Sequence, residues 1–253
     1  MSARVAIVTG ASRGIGAAIA RALAEDGCHV VAAARSDDAL RGVVEAFSVR
    51  GLAVPCDLAA PEAATQLVDA AMQAFGRIDV VVNNAGATPR GDFLAFDDAA
   101  WEAGFALKFF GAVRLCRAAW PQLVAQQGCI VNIAGIGGRT GNADFTIGGS
   151  VNAALLNLTK ALADRGVRDG VRVNAVNPSS IATERTQVRI DKLAAERGIA
   201  PDAASSELAR DLRVARFGTP AEIASVVAFL ASDRASYMQG AIVDVDGGQT
   251  RTL

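Results

Sequence analysis

The chain has 253 residues, 51% of them hydrophobic, with 25 Lys and Arg against 26 Asp and Glu and a formal net charge of −1. This length and apolar content suit one α/β domain spanning residues 1–253, with a sheet covered on both faces. The near-balanced charge, without a Lys/Arg cluster, excludes a nucleic-acid surface, and no apolar run approaches the ~20 residues needed to cross a bilayer. Met1-Ser2-Ala3-Arg4 leads directly into the first apolar run, leaving no room for a secretory signal, so a cytoplasmic protein is expected.

Seven short runs rich in Val, Ile and Ala read as strands: residues 4–9, 29–33, 53–56, 80–83, 129–133, 172–176 and 242–245. Each is short and continuous rather than alternating, as strands buried on both faces are. Between them, apolar spacing near three and four predicts helices at 61–75, 100–120, 151–165 and 220–230. Strictly alternating elements of this kind build a doubly wound parallel sheet of Rossmann type. Residues 179–216 are polar and rich in Ala and Arg, and read as two short helices inserted between the last two strands.

The first strand runs into Thr9-Gly10-Ala11-Ser12-Arg13-Gly14-Ile15-Gly16, which opens an alanine-rich helix. A strand before the glycines and a helix after them make this a dinucleotide loop: Gly10 allows the sharp turn, Gly14 and Gly16 allow close backbone approach, and the helix N-terminus offers N–H groups to phosphates. The second strand closes on Ala34-Arg35, and the fourth run leads into Asn83-Asn84-Ala85-Gly86. Cys28, Cys56, Cys116 and Cys129 form no Cys-x-x-Cys pair and read as small buried hydrophobes, and the single His29 cannot supply a histidine metal site or triad. No metal is expected.

With these segments the chain resembles the short-chain dehydrogenase/reductase family along essentially its whole length. The resemblance implies a nicotinamide cofactor held by Gly10, Ser12, Arg13, Gly14, Ile15, Gly16, Asp57, Leu58, Asn84, Ala85, Gly86, Pro178 and Thr183, with Asp57 accepting from the adenine amine and Asn83 and Gly86 shaping the floor under the adenosine. Members selective for NAD carry an acidic residue at the position of Ala34. Its absence, with Arg13 and Arg35 placed to meet a 2′-phosphate, implies NADP(H) rather than NAD(H). Residues 179–216 correspond to the family's substrate-covering segment. The resemblance also implies a small-molecule substrate, no nucleic acid or membrane partner, and assembly as a homodimer, a homotetramer or a heteromer with a related subunit.

At the family's catalytic positions the chain departs from the pattern. The serine that binds the carbonyl oxygen corresponds to Gly135, the tyrosine acid to Gly148, its lysine partner to Asn152, and the asparagine of the preceding helix to Lys108. The single tyrosine, Tyr237, lies far along the chain and matches a structural aromatic before the last strand. Lysine and asparagine have exchanged helices. If Lys108 points inward, it is a candidate acid or base; otherwise it is a surface lysine or a plain ribose contact. Gly148-Gly149 vacates the volume of a phenol ring, for a bulky substrate group or through lost function. Arg139, Thr140, Asn142, Asp144 and Thr146 are nearby polar residues without a recognised triad. Three readings follow: an NADP(H)-dependent oxidoreductase with non-standard chemistry, a non-catalytic subunit or cofactor sensor, and a non-redox acid/base enzyme using Lys108.

Overall fold

A computed structural model describes residues 3–251. Seven parallel strands form one sheet: β1 (Val5–Thr9), β2 (His29–Ala34), β3 (Gly51–Pro55), β4 (Val80–Asn83), β5 (Cys129–Ile133), β6 (Arg172–Pro178) and β7 (Ile242–Val245), in the order β3-β2-β1-β4-β5-β6-β7. The helices are α1 (Gly14–Glu25), α2 (Asp37–Val44), α3 (Ala63–Phe75), α4 (Asp98–Phe105), α5 (Gly111–Gln126), α6 (Thr146–Asp169), α7 (Glu184–Arg197), α8 (Pro201–Asp211) and α9 (Pro220–Ala231).

The continuous apolar strands are explained by two cores. In β1, Ala6 and Val8 enter the cluster shared with α1 and α9, while Val5 and Ile7 enter the opposite cluster with α3 and α5. Side chains alternate between faces, and both faces are covered, so every position is apolar. Fully burying one such side chain contributes about 1.5–3 kcal/mol. The chain order reverses between β1, which pairs with β2 at Val5↔His29, and β4, which pairs with β1 at Ala6↔Val80. The crevice at that reversal, beyond the strands' carboxyl ends, is where sheets of this topology take ligands.

The helix expected over 100–120 is not continuous. Residues Ala106–Phe110 form a π-turn between α4 and α5, with the Gly111 amide bonded to the Ala106 carbonyl. Lys108 sits in it. Such one-residue insertions concentrate at functional sites, and apolar spacing does not reveal them. Residues 179–216 hold the two expected helices, α7 and α8, which share a small apolar cluster of Ile190, Ala194 and Ala204 apart from the two main cores. Cys28, Cys116 and Cys129 are buried, Cys56 is half-buried, and all four thiols are free. His29 stacks on Phe75 at 5.3 Å. Tyr237 is fully exposed, so it does not play the structural part expected of it.

Candidate active site

The glycine-rich turn is set by backbone constraints. Gly10 and Gly14 have φ of +65° and +56°, in the left-handed region that favours glycine. At Gly16 a Cβ would drive into the Gly10 carbonyl oxygen. Thr9 Oγ1 accepts from the amides of Asn84 (2.9 Å) and Ala85 (3.0 Å), while Asn84 Nδ2 donates to the carbonyls of Thr9 (2.9 Å) and Gly10 (3.3 Å). The turn is thereby fastened to the end of β4. No side chain caps the start of α1 and its first turn has no acidic residue, which leaves N–H groups and a partial positive charge for an anionic ligand.

The remaining nucleotide-side residues lie along the same edge. Arg35 is exposed just after β2, and no ion-pair partner for it occurs among the described residues. Asp57 is exposed after β3, and its Oδ1 accepts from the Ala59 amide at 3.0 Å; Leu58 is buried behind it. Pro178 ends β6, and Thr183 stands before α7, its methyl 3.5 Å from where a Cβ on Gly14 would be. Ser179 donates to the Asp246 carbonyl at 3.2 Å. One expectation needs correction. Asn83 is buried, and its Nδ2 donates to Asn132 Oδ1 at 2.8 Å within the sheet, so its side chain is no floor for an adenosine. An amide buried among apolar strands must find a partner there. Arg13 Nη1 donates to Glu184 Oε2 at 2.7 Å, an exposed pair that ties the turn to α7.

Lys108, Gly135, Gly148 and Asn152, the residues that the resemblance implies at the catalytic positions, lie close together. Lys108 reaches inward from the π-turn, its stem crossing Gly86 so closely that a Cβ there would meet Lys108 Cδ at 2.8 Å. Its Nζ donates to Asn152 Oδ1 on α6 and to the Ala134 carbonyl beyond β5, both at 2.6 Å. Lys108 is thus no surface lysine. Burial, with a smaller contribution from the Arg185 guanidinium, pushes its ammonium down to about 7. An ammonium has three N–H donors; two are held, and the third remains for a ligand. Gly135 donates its amide to Asn177 Oδ1 at 2.9 Å and has φ +143°, ψ +147°, a conformation that side chains avoid.

The volume vacated at Gly148 is filled from within. A Cβ on Gly148 would collide with the ring of Phe145, which occupies that space. The opening expected there for a bulky substrate group is absent. Of the polar residues around it, Arg139 pairs with Asp244 at 3.1 Å, Thr140 bonds back to the Ile136 carbonyl, and Asn142 caps the Asp144 amide. Among the described residues no group of His, Cys, Asp and Glu could hold a metal, and no helix is long and apolar enough to cross a membrane.

Phe145, Glu184, Arg90, Arg185 and Arg189 were not singled out by sequence. The adjacency of Phe145 to a glycine pair was the one available signal, since a ring beside two missing side chains has space to enter.

Residues 10–250 match the family described as enoyl-(acyl carrier protein) reductase. The short-chain reductase protein NovJ of Streptomyces niveus is 37% identical over 249 residues, covering 97% of this chain and 93% of that protein. L-sorbose reductase from Gluconobacter frateurii, solved with NADPH and L-sorbose, superposes with a TM-score of 0.95 at 35% identity over 100% of this chain and 98% of that one. A short-chain oxidoreductase from Pseudomonas aeruginosa PAO1 containing an atypical catalytic center gives a TM-score of 0.92 at 29% identity, over 99% of this chain and 98% of that one. With a doubly wound seven-stranded sheet, a glycine turn fastened to β4, and matches of this extent, the chain belongs to the short-chain dehydrogenase/reductase family.

Proposed function

We propose that this chain is an NADP(H)-dependent oxidoreductase in which Lys108 takes over the proton transfer normally given to a tyrosine. The observation that carries the reading is the inward lysine, held by Asn152 and Ala134 with one donor unspent. The nucleotide side supports NADP(H): the tight approach at Gly16, the uncapped start of α1, an alanine instead of a carboxylate at Ala34, and exposed Arg35. Arg13 joins them by leaving Glu184 for the 2′-phosphate, and Ser12, Ile15, Asp57, Leu58, Ala85, Gly86, Pro178 and Thr183 line the rest. When bound, the cofactor supplies the hydride. The chain's own part is at the oxygen of the substrate carbonyl. Lys108 donates a proton from Nζ to that oxygen as the carbonyl π pair moves onto it, leaving a neutral amine that water reprotonates. Asn152 and Ala134 fix the ammonium's direction, and α7 and α8 cover the pocket as its lid. Exposed Phe110 at the end of the π-turn and Val124 on α5 suit subunit pairing, as a homodimer, a homotetramer or a heteromer.

The test is the pH dependence of carbonyl reduction, followed by loss of nicotinamide absorbance over a panel of ketones. The acid form is needed, so the rate is full below about pH 7 and falls as pH rises through the Lys108 value. Lys108→Met loses about a hundred- to ten-thousandfold in kcat/KM while keeping its fold. A flat profile, or full activity in the variant, refutes the assignment. A second reading, a cofactor-binding subunit without turnover, is favoured by the Phe145 ring packed where the usual acid stands; tight NADPH binding with no turnover of any carbonyl would select it.

A further inference from the structure

We propose that Arg90, Arg185 and Arg189, beside Lys108, form a subsite for an oxyanion, so that the substrate is a small molecule bearing a carboxylate or a phosphate. The inference rests on the reading of the Lys108 pocket as the place where substrate reacts.

Three observations build the subsite. Arg90, in the loop after β4, lies with its guanidinium carbon 4.4 Å from the centroid of Phe145, the ring that fills the space at Gly148. Stacking fixes a guanidinium plane and leaves its N–H edges for a ligand. The same loop is tied to the far wall by the Gly91 amide, which donates to the Asp144 carbonyl at 3.1 Å. From the other side, Arg185 Nη2 donates to the Gly86 carbonyl at 3.3 Å, directly where the Lys108 stem crosses. Arg189 follows Arg185 by four residues, one helical turn along the same face of α7.

What sets this region apart is that its cations, unpaired among the described residues, lie close enough to lower one another's pKa. Arg13, Arg139, Arg197 and Arg216 each meet a carboxylate within 3.1 Å. Arg90, Arg185 and Arg189 have no ion-pair partner among the described residues. Asp144 is the acidic group beside Arg90, and the neighbouring Glu184 is taken by Arg13. Partial desolvation and repulsion from Arg189 lower the Arg90 pKa despite Asp144, and Arg185 acts likewise on Lys108. Three guanidinium groups and an ammonium gathered from three segments repel one another. An oxyanion held by the planar N–H forks removes that repulsion and matches them in geometry.

The experiment is direct titration of the protein, with and without NADPH, by paired probes: 4-oxopentanoate against 4-oxopentanamide, and dihydroxyacetone phosphate against dihydroxyacetone. Heat of binding is the readout, so no turnover is required. The expected result is at least tenfold tighter binding of the charged member in one pair, and loss of that preference in the double variant Arg90→Gln/Arg189→Gln. The preferred pair identifies carboxylate or phosphate as the source of the anion. NADPH affinity, titrated separately, stays within twofold of the parent in that variant. Equal or undetectable binding of charged and neutral probes, or a preference that survives the double variant, overturns the subsite. Failure of NADPH itself to bind overturns the cofactor reading instead, and the nucleotide-free titrations still decide the subsite.

Discussion

The two ends of the ligand crevice are built from different materials. At the nucleotide end the contacts come mainly from backbone: positive φ at Gly10 and Gly14, close approach at Gly16, and a turn held by Thr9 and Asn84. At the proposed reaction end the shape is set by side chains: Lys108 bonded to Asn152, and the Phe145 ring against Gly148. A site made of backbone changes only if the fold changes. A site made of side chains can be rebuilt inside an unchanged fold, which is why family membership and chemistry must be argued separately.

The largest effect should come from breaking the backbone half. Gly16→Val sets a branched side chain against the Gly10 carbonyl, and NADPH affinity should fall more than about a hundredfold, equivalent to about 2.8 kcal/mol, by calorimetric titration. Affinity within tenfold of the parent would show that close approach does not govern this end.

A smaller effect should mark the reaction end. Gly148→Tyr meets the Phe145 ring, and overpacking of this kind costs about 1–3 kcal/mol; adding Phe145→Ala should recover most of it in denaturant unfolding. Equal stability of Gly148→Tyr and the parent would mean that the ring moves aside freely. Gly135→Ser faces a separate obstacle at φ +143°, worth about 1–3 kcal/mol of backbone strain. Restoring the familiar residues together therefore requires repacking the pocket.

The smallest effect joins the two ends. If Arg13 leaves Glu184 for the 2′-phosphate, as proposed, Glu184→Gln should tighten NADPH by about threefold, under 1 kcal/mol, as fits an exposed ion pair. Arg13→Ala should weaken NADPH and leave NADH unchanged. Tighter NADH binding in Glu184→Gln would indicate a role other than this competition.

The fold was legible because strands covered on both faces are written as runs rich in Val, Ile and Ala without strict alternation, and each predicted run became a strand with ends shifted by at most two residues. The nucleotide turn was legible for a related reason: glycine is needed wherever φ is positive or no Cβ fits. The direction of Lys108 was not, because a lysine on a helix reads alike whether it faces water or Asn152. Nor was the pairing of Arg13 with Glu184, which lies 171 positions away. Asn83 and Asn84 are neighbours of one type, yet one turns into the sheet and the other to the glycine turn, a difference set by strand pleat.

The π-turn at Ala106–Phe110 has a consequence for how this chain tolerates changes of length. An α-helical residue advances the chain by about 100° around the axis, so the extra residue in the turn sets the bearing of α5 relative to α4. Deleting one residue there would let residues 98–126 run as an uninterrupted helix, a locally better-bonded one. It would also swing one side by about a quarter turn, carrying Lys108 off Asn152 and Ala134 or turning Phe110 and Val124 away from their outward face. Indels are usually accommodated in loops; here a single-residue deletion inside a helix would uncouple the buried end of Lys108 from the outer surface.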